Sequence, residues 1–190
     1  MPLVVNGTAA ERATIEGWLQ QICWRIRVDG TTGAAGMIQG PQAPGAHETG
    51  CRCLSDIIHG RRTVTIQPLA GPATPVPGTG GVPISAGGGG ITTRPAGSEV
   101  QANDQPGNGP DGNPGSDCTS FVDISNNGGA GYPHGYPMWF VLAHELTSGH
   151  AFHNTQGTAG RTGIERERQA IASEHDPAIH HSLPLRPLPR

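Results

Sequence analysis

Apolar positions along the chain change period several times, and each change marks an element. Ile15, Trp18, Leu19 and Ile22 recur at the spacing of one helical face, and Thr8 followed by Glu11 forms a capping box, so a helix is predicted from Ala9 to Trp24. "RIRVDG" alternates apolar and charged residues into Asp29-Gly30, the pattern of a short strand ending in a turn. "CLSDIIHG" reads as one or two helical turns closed by Gly60, and "RTVTIQP" as a strand ended by Pro68. "CTSFVDIS", with Thr119, Phe121 and Ile124, suits another strand. "MWFVLAHELTSGHAFHNTQG" is predicted as a helix entered at Pro137 and ended at Gly157, with Gly149 a weak point inside it. "GIERERQAIASEHD" gives a further helix from Ile164 to about Glu174, stopped before Pro177. The tail, 182–190, is too rich in proline to be helical and is expected to lie extended. These elements predict a single α+β domain over 1–190, a small sheet flanked by helices.

From Gly71 to Gly115 the chain holds few aliphatic residues and no aromatic one, and the expectation is a flexible Gly/Pro-rich excursion between paired strands that adds little to the core. The whole composition agrees with that division: 34% hydrophobic and 4% aromatic residues supply one modest core, and 30 Gly with 18 Pro require much loop. A formal net charge of −3 gives no electrostatic case for nucleic acid or an anionic membrane, and no apolar run reaches the ~18 residues of a membrane span. The first residues lack the basic start and apolar stretch of a signal peptide, so export would need another device. Cys23, Cys51, Cys53 and Cys118 fit one or two disulfides; a bond from Cys51 or Cys53 to Cys23 or Cys118 is favoured over a zinc knuckle of His47 with "CRC", whose spacing is tighter than the usual C-x2-C.

The chemistry concentrates in "LAHELTSGHAFHN". A helix offers a metal two ligands by placing residues i and i+4 on one face, and His144-Glu145 begins such a site: the histidine ligates while the glutamate next to it acts as general base. The i+4 position is Ser148, a poor ligand. On a continuous helix His150 and His153 lie about 120° and 180° from His144, out of joint reach, and only a break at Gly149 could bring His150 round. A histidine-glutamate pair alone also recurs by chance, and the "ERERQ" charges read equally as a solvated helix face.

"LAHEL", then "HAFHNTQG", then "ERERQAIASEHDPAIHHSLPLR" resembles the NleD-like zinc metallopeptidases, bacterial effector and toxin domains, over residues 116–186. The resemblance implies a zincin-like active-site helix, Zn2+ as cofactor, His144 as first ligand, Glu145 as catalytic base, Ser148 in the place of the second ligand and Glu167 as the downstream ligand, with Glu165 and Glu174 as competing carboxylates. It implies hydrolysis of peptide bonds in a protein or peptide substrate, a secreted or delivered domain acting in the periplasm or a target cell, and a delivery-machinery or immunity partner. Tyr132, His134 and Tyr136 are candidates to stabilise the oxyanion. Ser148 leaves three readings open: an inactivating substitution, a degenerate site on a non-catalytic binding module, or a two-residue insertion that makes "GHAFHN" the continuation of "HEL", with His150 as the second ligand.

Overall fold

The computed structural model describes residues 3–39, 48–94, 115–125, 136–147 and 150–156, together with Arg168 and Ile171. Strand β4 (Val64–Leu69) is its hub, burying Val64, Ile66 and Pro68 as the alternation of "RTVTIQP" requires. It pairs in parallel with β1 (Leu3–Val5) on one side and with β6 (Cys118–Asp123) on the other, and β6 pairs antiparallel with β5 (Gly90–Thr93), so the sheet order is β1-β4-β6-β5. Pro68 does not end β4. Pairing with β1 reaches only Ile66, so a residue without an N–H is tolerated beyond the last rung on that side while it stays in register with Val122. A separate antiparallel pair joins β2 (Ile26–Val28), where "RIRVDG" predicts it, to β3 (Ala35–Met37).

Helix α1 (Ala9–Ile22) buries Ile15, Leu19 and Ile22, and both halves of its capping box form: Glu11 N donates to Thr8 Oγ1 at 3.3 Å and Thr8 N to Glu11 Oε2 at 2.7 Å. Helix α2 (Glu48–His59) is longer than the one or two turns expected and buries Cys53, Leu54, Ile57 and Ile58. It starts hard against the end of α1. A Cβ on Gly50 would stand 2.6 Å from the carbonyl oxygen of Ile22, so only glycine lets the two helices meet there. The next residue, Cys51, forms a disulfide with Cys23, and Cys53 and Cys118 are buried thiols outside that bond. With Cys51 in that bond the "CRC" knuckle loses a ligand, and His47 lies outside the described residues.

The long helix expected from Met138 to Gly157 is instead two helices, α3 (Met138–Leu146) and α4 (His150–Gln156). Thr147 turns extended, with φ −85° and ψ 116°, and both its N–H and its hydroxyl donate to the Ala143 carbonyl at 2.9 Å. A threonine whose side chain competes for a backbone carbonyl, followed by serine and glycine, is a run of weak helix formers.

Leu3, Val5, Val64, Ile66, Cys118 and Val122 face the helices and join Ile15, Leu19, Leu142 and Leu146 in the main core. On the opposite face Phe121, with Leu69 and Ile91, is covered by Val76 and Ile84, the latter opening a short 3-10 turn, Ile84–Gly87. The expected flexible excursion is therefore corrected for residues 71–94. Sparse as its aliphatic residues are, Val76 and Ile84 are only 2% and 0% exposed, and the segment adds a strand to the main sheet. Residues 95–114 and the tail, 182–190, lie outside the described residues, and of the expected helix from Ile164 only Arg168 and Ile171 are described, both helical. Among the described residues no helix is long and apolar enough to cross a membrane.

Candidate metal site

Helix α3 packs over β5 and β6, and its last turn carries the chemistry. His144 is 7% exposed and Glu145 3%, so both polar side chains face the interior rather than solvent. Gly90 makes the close approach possible: a Cβ there would stand 2.8 Å from both Glu145 Cγ and Val141 Cγ1. Two residues on, the Thr92 hydroxyl donates to Glu145 Oε2 at 2.5 Å, and its own oxygen lies 2.8 Å from Ser120 Oγ. A buried carboxylate is tolerated where a donor meets it, and Thr92 supplies one.

Helix α4 packs against α3. His150, its first residue, places its ring edge-on to that of His144 with centroids 5.2 Å apart. One ligand atom from each of His144, Glu145 and His150 lies within 4.8 Å of the others, and this group could hold a metal ion. Ligand atoms about 2 Å from a tetrahedral ion are roughly 3.3 Å apart, closer than the 4.8 Å within which these three lie. The two imidazole nitrogens suit zinc, and the Glu145 carboxylate oxygen stands beside them, placed either to ligate an ion or to act as a base next to it.

The missing-ligand geometry expected on a continuous helix is thus corrected. Helix α3 ends at Leu146, and the His150 ring stands beside that of His144. Ser148 itself lies outside the described residues, as do Glu167, Glu165, Glu174, Tyr132 and His134. Tyr136 is half-buried with its ring 4.9 Å from Phe140, at the far end of α3 from His144. Thr92 and Ser120 belong to no motif, and only the pairing of β5 with β6 reveals them. Cys118 lies on the same sheet face, and burial above all, then the nearby charges of Asp117 and Glu145, push its thiol up to about 12.

Fold and site together define a mixed α and β domain with a buried histidine-glutamate group able to hold a metal ion. No family model matches the chain, and neither a curated protein nor a solved structure matches it.

Proposed function

We propose that the domain is a zinc-dependent peptidase of the bacterial effector and toxin kind, with His144 and His150 as helical ligands, Glu145 as base and Glu167 as the downstream ligand. The observation that carries this reading is the His150 ring, 5.2 Å from that of His144 although α3 ends at Leu146. It supports the insertion, in which "HAFHN" continues "HEL" across Thr147, Ser148 and Gly149, over a site degenerate at Ser148. The likeness to NleD-like metallopeptidases supplies the substrate class, a protein or peptide, and the role of Glu167.

Zinc, when bound, supplies Lewis acidity to the scissile carbonyl. Glu145 takes a proton from the attacking water onto its carboxylate and returns it to the departing amine, so that one residue serves as base and then acid. Thr92 holds Oε2 during both transfers. His144 and His150 would hold the metal through their ring nitrogens.

Zinc titration of His144→Ala, His150→Ala, Ser148→Ala and Glu145→Gln proteins tests the assignment. A zinc site of about 10–16 kcal/mol shared among about four ligands predicts a loss of roughly 100-fold or more for either histidine variant. Ser148→Ala should bind as the parent does, and Glu145→Gln should keep zinc while losing cleavage of a peptide library. Tight zinc in His150→Ala would end the shifted-ligand assignment. Stoichiometric zinc without any peptide cleavage would favour the binding-module reading instead.

A further inference from the structure

Thr92 and Ser120 are direct partners in the β5-β6 ladder, and both stand on the sheet face that α3 covers. Ser120 is fully buried, its Oγ is 2.8 Å from Thr92 Oγ1, and Thr92 Oγ1 is 2.5 Å from Glu145 Oε2. A hydroxyl has one proton to give. Thr92 gives its proton to the carboxylate, so Ser120 is the donor in the other contact and the chain runs one way, from Ser120 through Thr92 to Glu145. Threonine is stiff at χ1 because of its branched Cβ, and Gly90, two residues earlier on the same face, leaves room for the glutamate side chain against the strand.

We propose that Thr92, itself fixed by Ser120, is the positioning residue for Glu145: it anchors Oε2 to β5 and thereby sets the direction of the other carboxylate oxygen beside His144 and His150. The kinetic consequence rests on the hydrolase reading, while the geometric one does not. Thr92→Val removes the hydroxyl and keeps the branched shape, and Thr92→Ser restores the hydroxyl. In zinc-free crystals, Glu145 should leave its parental rotamer in Thr92→Val and keep it in Thr92→Ser.

In the zinc-loaded proteins, kcat should fall about 10- to 100-fold for Thr92→Val, the loss expected from misplacing a reacting group by about 1 Å. KM and zinc affinity should stay within about twofold, because the base is not a ligand, and Thr92→Ser should recover most of the rate. A purely structural role would lower the melting temperature without separating kcat from KM. An unmoved Glu145 in Thr92→Val, an unchanged kcat, or no recovery in Thr92→Ser overturns the proposal. If the parent holds no zinc and cleaves nothing while the rotamer responds as described, the hydrolase reading falls and the positioning role stands. Should Thr92→Val fail to fold, Ser120→Ala decides: freed of its donor, Thr92 should hold Glu145 less well and kcat should drop, and an unchanged kcat overturns the relay.

Discussion

Replacing Gly90 with alanine adds a single methyl group at the narrowest point between sheet and site. That carbon would stand 2.8 Å from Glu145 Cγ, 2.8 Å from Val141 Cγ1 and 3.2 Å from Glu145 Oε1. Carbon atoms pack at about 3.5–4.0 Å, so two contacts overlap by roughly 1 Å, and neither partner is the free end of a long side chain. Gly90 is locked to Val122 across the ladder and α3 is packed into the main core, so the strain falls on the helix and on Glu145. Overpacking of this kind costs about 1–3 kcal/mol, and the stiffer unfolded chain of the alanine variant returns about 0.4–1 kcal/mol. A net loss of about 1–2 kcal/mol corresponds to a fall of roughly 2–8 °C in Tm for a domain of this size. Thermal melting by circular dichroism reads the stability, and cleavage of a peptide substrate by the zinc-loaded protein reads the site. Displacing Glu145 by about 1 Å should cost on the order of 100-fold in rate, well beyond the stability effect. A Gly90→Ala protein that melts with the parent and cleaves at the parental rate would refute the close packing of α3 on β5.

Cys51→Ser opens a loop of sequence separation 28 and should destabilise the domain by roughly 3.5 kcal/mol on the chain-entropy estimate, measured by urea unfolding; equal stability would mean that α2 docks without the bond. Burial pushes the Cys118 thiol up from 9.0 to about 12, so its contribution is fully present below pH 9 and is lost as pH rises towards 12. Unfolding free energy should then fall by up to about 1.4 kcal/mol per pH unit above pH 9 through this group, and Cys118→Ala should flatten that slope. Thr8→Ala removes half of the capping box on α1 and should cost about 1 kcal/mol by the same urea assay.

Where a signal is local, the chain states it openly. Thr8 and Glu11 announce the start of α1, and the alternation of Val64, Ile66 and Pro68 announces β4, because capping and pleating depend on residues a few positions apart. Strands of three residues such as β1 and β3 carry too short a pattern to stand out, and they exist because a longer neighbour holds them. Between 71 and 94 the aliphatic residues are few, and their worth comes from lying opposite Phe121, a relation visible only once the sheet is assembled. His144 and Glu145 were legible from their motif, and the weak helix formers after Leu146 were legible too. An i, i+4 template applied to a continuous helix assigned the second ligand place to Ser148, whereas α3 ends at Leu146 and the His150 ring stands beside His144. The choice of Cys23 for Cys51 depends on α2 starting at the end of α1, and Thr92 reaches Glu145 across 53 residues of sequence, so neither leaves a trace in spacing.

The strand order has a kinetic consequence. Helix α1 and the β2-β3 hairpin close over short stretches, but the main sheet joins Asn6 to Gln67 across 61 residues and Thr63 to Asp117 across 54. Each of those closures must be completed before its contacts begin to stabilise the chain, which places the sheet late in folding. The floor under Glu145 is made of β5 and β6, so the histidine-glutamate group is assembled after the sheet rather than with its own helices. A folding intermediate with α1 and the hairpin formed but the sheet still open would contain all three side chains and no arrangement of them. Recovery of metal binding during refolding should accordingly lag behind recovery of helical signal.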